Sequence, residues 1–205
     1  MIALIDSGVG NIRSVANALE YIHTDFKITK NPQDIITAEK IIFPGVGAFC
    51  DGMKTIVQSG LSETLTEQVL KKRKLYLGIC LGMQLLVDTG LEDGKHQGLG
   101  WIKGTVRKLK TDGKNFKLPH IGWNNVIPHK KSLLFSLLEN DPTFYFVHSY
   151  VVEPQDKSVI LATCNHDETF AASINYKNIF GVQFHPEKSQ HNGLQLLKNF
   201  VTMKV

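Results

Sequence analysis

The sequence predicts an α/β fold: an open, mostly parallel, twisted sheet with helices on both faces and an antiparallel strand extension. Short apolar runs alternate with segments of helical periodicity through the first half of the chain, as in parallel strands joined by helices. The second half is rich in β-branched and aromatic residues at strand-like density. With 205 residues, 42% of them hydrophobic, the chain can bury a core without disulfides or a metal. We therefore expect one domain over residues 1–205.

Four short apolar runs in the first half are predicted as buried strands because turn residues bound them: 2–5, 26–29, 41–43 and 75–79. A helix is expected from Ile12, since apolar residues then recur at helical spacing and Asn11 is a suitable N-cap. A second helix is predicted over 61–72, with acids early and bases late, and a third begins over 81–87.

The second half is predicted to consist mainly of strands and to close with an amphipathic helix. The expected strands are 104–110, 123–127, 143–152, 159–164, 170–176 and 179–184. Residues 175–178 would form a hairpin turn, and the helix would cover 193–201.

The charge and the cysteine content exclude several classes of protein. The net charge of +4 is too small for a nucleic-acid-binding signature. The basic run 71–74 is typical of a solvated helix end, and a phosphate- or RNA-binding patch is the alternative. The three cysteines have no C-x-x-C spacing, which disfavours a zinc ribbon or a secreted disulfide framework. Asp6 interrupts any signal-peptide core and 75–87 is too short to span a bilayer, so we expect a cytoplasmic protein.

Cys80 is the strongest candidate nucleophile. It lies between a predicted strand and a predicted helix, and Gly78 and Gly82 flank it. A nucleophile elbow needs glycines at such positions, because side chains there would collide across the tight turn. A helix N-terminus would also stabilise a thiolate, and the amides that follow could hold an oxyanion. Cys50 and Cys164 lack this context and are interpreted as structural.

His185 is the candidate base for that nucleophile. It follows a predicted strand, and Pro186 disfavours helical geometry at the residue before it. The imidazole would therefore lie at the carboxyl end of a strand, where open α/β sheets bind ligands. Glu187 could accept a hydrogen bond from one ring nitrogen and leave the other facing the thiol.

Two glycine-rich loops leave alternatives open. Gly8 and Gly10 suggest a dinucleotide site, but Arg13 occupies the third glycine position, so we expect a tight turn and no cofactor. The loop 44–47 could be a plain turn, or its glycines could let an amide point toward an oxyanion. No zinc-protease spacing of histidines is present, and no metal is expected.

At these residues the sequence resembles the class I, triad-type glutamine amidotransferases over essentially its whole length. The segments that carry the resemblance are DSGVGN (6–11), PGVGAF (44–49), GICLGMQ (78–84), PHIGWN (119–124), HSY (148–150) and VQFHPEKS (182–189). The PGVG and GWN segments point to the subfamily of glutaminase subunits of imidazole glycerol phosphate synthase, in histidine biosynthesis.

The resemblance implies a role for each matching residue. Cys80 would be the nucleophile, His185 the general base and acid, and Glu187 the residue that orients His185. Three further groups are implied: oxyanion-hole amides from Val46 or Gly47 with Leu81, substrate contacts from Gln84, Glu92, Ser149 and Tyr150, and communication with a partner through Tyr145, Lys188, Trp123 and Asn11.

The resemblance also implies a function in a heterodimer. The chain would hydrolyse L-glutamine and channel ammonia to a (βα)₈-barrel cyclase subunit, which would make imidazole glycerol phosphate and aminoimidazole carboxamide ribotide. No nucleic acid or membrane would take part. The alternatives are a subunit that serves a paralogous synthase, for example in surface-sugar biosynthesis, a cysteine peptidase or hydrolase on the same scaffold, and a non-catalytic regulatory relative.

Overall fold

The computed structural model describes residues 1–6, 8 and 12–204. Its helices are α1 Ile12–Tyr21, α2 Pro32–Thr37, α3 Phe49–Gln58, α4 Leu61–Thr66, α5 Leu81–Gln84 and α6 Gln190–Thr202. Its strands are β1 Ile2–Ile5, β2 Phe26–Thr29, β3 Lys40–Gly45, β4 Leu75–Cys80, β5 Val87–Gly90, β6 His96–Gln97, β7 Ile102–Lys108, β8 His120–Asn125, β9 Ile127–Pro128, β10 Thr143–His148, β11 Tyr150–Pro154, β12 Ile160–His166, β13 Glu168–Tyr176 and β14 Ile179–Val182. A π-helical turn, Glu67–Lys71, extends α4, and 3₁₀ turns cover Leu133–Phe135, Lys157–Val159 and Pro186–Lys188.

The central sheet has eight strands in the order β2-β1-β3-β4-β14-β13-β12-β9. The first five strands run parallel, and the last three continue the sheet antiparallel. Two smaller sheets, β10-β8 and β11-β7-β5-β6, lie beside it. The predicted α/β fold with an antiparallel extension is therefore confirmed. Because β14 pairs in parallel with β4, with Val182 beside Ile79, the segments after both strands emerge at the same edge of the sheet.

The parallel strands are buried on both faces, which explains their continuous apolar runs. Alternate residues of a strand point to opposite faces. Leu4 on β1 and Leu77 on β4 belong to one core cluster, whereas Ile5 and Tyr76 belong to the other. Such burial on two faces is characteristic of parallel sheets covered by helices.

The helix predicted to begin over 81–87 is much shorter than expected. It ends after one turn at Gln84, and Val87 already belongs to a strand. The carbonyl of Leu86 accepts hydrogen bonds from the amides of Trp101 and Ile102, so tertiary partners replace the next helical turn.

The predicted strand 143–152 is two strands. It breaks at Ser149, because β10 pairs with β8 whereas β11 pairs with β7 in a different sheet. The helices α2 and α3 were not predicted, although Asn31 caps α2 by accepting from the amide of Gln33.

The basic run lies at the end of the helix that α4 begins, as its interpretation as a helix end requires. Lys71, Lys72 and Arg73 are exposed, whereas the ammonium group of Lys74 donates to the carbonyl oxygens of Ile35 and Ile36. Within the described part of the chain, no helix is long and apolar enough to cross a membrane.

Candidate active site

Cys80 is the last residue of β4 and lies on a strained turn. Its backbone has φ +53° and ψ −107°, a conformation that side-chain-bearing residues rarely adopt. A Cβ on Gly78 would lie 2.3 Å from the carbonyl oxygen of Gly82, and a Cβ on Gly82 would lie 1.9 Å from that of Phe43. Both flanking glycines are therefore sterically required, as the elbow interpretation predicts.

The helix after Cys80 is shorter than predicted, which weakens its expected stabilisation of a thiolate. The sequence predicted a helix N-terminus at the sulfur, but α5 has one turn, so few peptide dipoles align behind Cys80. Charged or polar side chains near the sulfur would add to the stabilisation of a thiolate.

His185 follows β14 at the same edge of the sheet. Its backbone is extended, as Pro186 favours, and its amide donates to the carbonyl of Tyr145 at 2.8 Å. Its Nδ1 lies 2.8 Å from Oε1 of Glu187, and the two side chains are only 2% and 3% exposed. A carboxylate only accepts, so Nδ1 carries the proton. Nε2 is buried and makes no hydrogen bond among the described residues, which leaves it available to a reacting group.

The surroundings of His185 favour its charged form. Burial alone would lower its pKa, but the interaction with Cys80 and the carboxylate of Glu187 outweigh burial and raise the pKa of His185 above its ordinary value. Glu187 and the nearby Cys80 therefore favour an imidazolium at His185.

A cavity of about 250 Å³ opens beside Cys80 and brings together most of the predicted site residues. Its walls are formed by Val46, Gly47, Cys80, Gln84, Glu92, Pro119, Val147, His148, Ser149 and Tyr150. Val46 and Gly47 are there because Gly45, at the end of β3, lies beside Cys80 in the sheet register. Gly47 has φ +113°, a backbone conformation that favours glycine. Loop 44–47 is therefore not a plain turn that any residue could form. Leu81 follows Cys80 directly, with its side chain in the core.

Two of the predicted substrate-binding side chains are already held by the protein. Oε2 of Glu92 accepts from the amide of Phe49, the first residue of α3, at 2.8 Å. Nε2 of Gln84 lies 3.1 Å from the carbonyl oxygen of Tyr150 and 3.1 Å from Oε1 of Gln183. The rest of each polar group is free to face the cavity.

Gln183 and His148 also lie at the site, although their sequence context did not predict a role for either. Gln183 is fully buried, and its Nε2 lies 3.5 Å from Sγ of Cys80. Its one sequence signal is that it is a polar residue in the otherwise apolar run 179–184, two positions before His185. His148 lines the cavity and lies at the break between β10 and β11, which no periodicity indicated.

Three of the four residues predicted to communicate with a partner form one row, in which Trp123 and Lys188 are exposed and Tyr145 is half-buried. Trp123 on β8 is paired with Tyr145 on β10, with ring centroids 6.2 Å apart. Nζ of Lys188 lies 5.5 Å from the centroid of the Tyr145 ring. Trp123 is 46% exposed, so the row ends in a large apolar side chain that faces solvent. Asn11, together with its predicted N-cap role and the glycine loop of 7–10 apart from Gly8, lies outside the described residues.

The burial of Cys164 agrees with its structural interpretation, whereas that of Cys50 stays a prediction. Burial raises the pKa of the Cys164 thiol to about 12, which makes it a poor nucleophile at neutral pH. Cys50 is half-buried on α3. Across the described residues, no group of three or more His, Cys, Asp or Glu side chains could hold a metal ion.

Comparison with known proteins identifies a family from the sequence and a shared fold from the structure. Residues 3–203 match the family model "Glutamine amidotransferase class-I". The chain is 42% identical to the imidazole glycerol phosphate synthase subunit HisH of Leptospira borgpetersenii, over 99% of this chain and 100% of the relative. It is 48% identical to the subunit HisH 2 of Pseudomonas aeruginosa, with the same coverage of both chains. A crystal structure of a glutamine amidotransferase superposes with a TM-score of 0.76 at 15% identity, over 98% of this chain and 97% of that one.

Proposed function

This chain belongs to the class I glutamine amidotransferase family, and on that premise we propose that it is the glutaminase subunit of an imidazole glycerol phosphate synthase. It hydrolyses L-glutamine to glutamate and delivers ammonia to a cyclase subunit. The observation that carries the proposal is the strained turn that holds Cys80 beside the buried pair His185–Glu187. Residues 1–205 act as one catalytic domain, without a cofactor or a metal.

The reaction begins with attack by the Cys80 thiolate on the side-chain carbonyl carbon of glutamine. The tetrahedral intermediate collapses as its C–N bond breaks, and the His185 imidazolium gives its proton to the departing nitrogen, so that ammonia leaves. A γ-glutamyl thioester remains on Cys80. His185, now neutral, takes a proton from water, and the hydroxide that forms attacks the thioester to give glutamate and the Cys80 thiolate. Glu187 keeps the imidazole in one tautomer throughout.

The cavity provides the remaining contacts. The amide of Leu81, together with that of Val46 or Gly47, stabilises the oxyanion that develops on the carbonyl oxygen. Gln84, Ser149 and Tyr150 hold the amino-acid end of the substrate, and the carboxylate of Glu92 suits its ammonium group. A cavity of about 250 Å³ is below the range that encloses drug-sized ligands, so a single amino acid fits it better than a peptide does.

A partner subunit follows from the chemistry of the product. Ammonia released into neutral water becomes ammonium, which has no lone pair for attack, so a synthesis that consumes ammonia needs a protected passage. The row formed by Trp123, Tyr145 and Lys188 presents two neighbouring aromatic side chains, which are enriched at protein interfaces, with a lysine ammonium over one of them. The partner is a (βα)₈-barrel cyclase that makes imidazole glycerol phosphate and aminoimidazole carboxamide ribotide, and the complex acts in the cytoplasm.

Glutamate release, measured with and without the cyclase subunit, tests this function. We expect weak activity of the isolated chain, strong stimulation by the cyclase, and no stimulated activity in Cys80→Ser. Cys50→Ser is the matched control and should keep its activity, since Cys50 is not among the residues that line the cavity. Undiminished glutamate release by Cys80→Ser would refute the nucleophile. Equal rates with and without the cyclase would refute the coupling and favour a paralogous synthase or a free-standing hydrolase.

A further inference from the structure

We propose that Gln183 is a further catalytic residue, whose side-chain amide donates an N–H to Sγ of Cys80 and holds the sulfur as a thiolate. The proposal rests on the proposed function, because it concerns the same nucleophile. Nothing in the resemblance of the sequence assigned a role to this residue.

Gln183 is fixed in place from both its backbone and its side chain. It is fully buried, and its amide donates to the carbonyl of Ala172 on β13 at 2.8 Å. The distance of 3.5 Å from its Nε2 to Sγ of Cys80 is a hydrogen-bond distance for the large sulfur atom. A buried amide with one donor aimed at a sulfur has little freedom to turn away.

The orientation of the Gln183 side-chain amide is determined by the backbone carbonyl of Tyr150, to which Gln84 connects it. The carbonyl oxygen of Tyr150 can only accept, so Gln84 must present its NH₂ group to it. The same NH₂ group donates to the side chain of Gln183, which must therefore present its oxygen to Gln84. The NH₂ group of Gln183 is then left facing Cys80, and the polarity of the whole chain is determined.

A second chain of hydrogen bonds reaches the same carbonyl of Tyr150. Nδ1 of His148 lies 3.0 Å from this oxygen and must donate to it. Nε2 of His148 then accepts from Nδ1 of His120 at 3.0 Å, and Nε2 of His120 accepts from the amide of Asn124. Burial lowers the pKa of His120 to about 4 and that of His148 to about 3, so both stay neutral and the direction of donation persists at neutral pH.

An N–H donor at this position favours the ionised sulfur over the thiol. A hydrogen bond to a charged acceptor is about twice as strong as one between neutral groups. The donor also remains after His185 has given its proton to the departing nitrogen, so it can stabilise the sulfur again when the thioester breaks. Because α5 is a single turn, the side-chain N–H of Gln183 supplies stabilisation of the thiolate that a longer helix would supply through its dipole.

The titratable groups around the sulfur are few. His185, backed by Glu187, faces Cys80 from the turn after β14, and Glu92, His148 and Tyr150 line the cavity with it. A substitution of Gln183 changes none of these side chains. A change in the ionisation of Cys80 in such a variant would therefore report the lost N–H.

The test is the pH dependence of alkylation of Cys80 by iodoacetamide, without glutamine and in a Cys50→Ser background. Gln183→Met keeps the length of the side chain and removes the donor. We expect the midpoint of the rate profile to rise by about one pH unit, so that alkylation well below the midpoint slows about tenfold. Gln68→Met, another buried glutamine changed in the same way, should leave the profile unchanged. A Gln183→Met profile that superposes on the parent's would overturn the proposal.

A second measurement needs no substitution at Gln183 and decides the matter if that variant does not fold. In the parent protein, the side-chain amide protons of Gln183 should shift in NMR spectra with the same midpoint as the alkylation rate. Chemical shifts of these amide protons that do not change as Cys80 ionises would overturn the proposal. Neither measurement uses glutamine or the cyclase, so both stand even if the proposed function fails.

Discussion

Oε1 of Glu187 lies 2.8 Å from Nδ1 of His185, and water is excluded from both side chains. The second oxygen of this carboxylate has no hydrogen-bond partner among the described residues. The negative charge of Glu187 therefore acts mainly on the imidazole of His185. The pair therefore sets both the tautomer and the charge of the ring that faces Cys80.

Glu187→Gln should separate these two effects. The amide oxygen of glutamine can still accept from Nδ1, but the negative charge is lost, so the imidazolium is less stable. We expect kcat for glutamine hydrolysis to fall roughly a hundredfold, the lower end of what general acid–base catalysis contributes, with little change in KM. Glu20→Gln, an exposed change on α1, is the control. An unchanged kcat in Glu187→Gln would show that its charge has no role.

His185 should lose part of its basicity when Cys80 is removed. Burial opposes its protonation, and the interaction with Cys80 is the largest influence that opposes burial. In Cys80→Ala only Glu187 remains to favour the imidazolium, so the pKa of His185 should fall below its value in the parent protein. NMR titration of the ring protons measures this directly. Equal midpoints in the two proteins would mean that Cys80 and His185 do not interact.

Gly82→Ala should destabilise the protein far more than the same substitution at a glycine with open space around it. The new Cβ would meet the carbonyl oxygen of Phe43 at 1.9 Å, so β3 and α5 would have to separate. We expect the free energy of unfolding in urea to drop by about 3 kcal/mol or more. Gly60→Ala places a Cβ in open space at φ +69° and should cost about 1 kcal/mol. Similar losses in the two variants would contradict the steric role of Gly82.

The buried histidines should make the protein sensitive to mild acid. His120 and His148 stay neutral in the folded state down to about pH 4 and 3, whereas in the unfolded chain they bind protons below about pH 6.5. The unfolded state then binds more protons, so the free energy of unfolding falls as the pH drops below 6.5, by about 2 kcal/mol for each histidine at pH 5. His166 stacks on His120 at 4.0 Å, and its proximity also lowers the pKa of His120.

Urea denaturation of the parent and of His120→Asn between pH 7.5 and 5 measures this effect. The variant should be less stable at pH 7.5, because it breaks the hydrogen-bond chain, but it should lose less stability on acidification. Parallel losses in the two proteins would show that His120 is not a source of the acid sensitivity.

The parts of the site that depend on local geometry were predictable from the sequence. The turn at Cys80 demands glycines at 78 and 82, and Pro186 holds His185 in extended backbone, so short motifs were sufficient to locate both. The parallel strands were predictable because burial on two faces leaves continuous apolar runs. By contrast, the end of α5 at Gln84 depends on amides of Trp101 and Ile102, which no local pattern contains.

Gln183 was missed for a related reason. Its role depends on an amide orientation that the carbonyl of Tyr150 sets through Gln84, and these residues meet only in the folded chain. The helix α3 was missed because its sequence, FCDGMKTIVQ, has a glycine in its interior and no side-chain cap.

The position of β14 between β4 and β13 has a consequence for synthesis on the ribosome. The sulfur is made early, but its hydrogen-bond partner Gln183 lies 103 residues later, on the segment that completes the middle of the sheet. A nascent chain that ends before β14 contains Cys80 but lacks Gln183, His185 and Glu187. Under the proposed function, amide cleavage therefore starts only after residues 183–187 have been translated and β14 has joined the sheet, so no shorter nascent chain consumes glutamine.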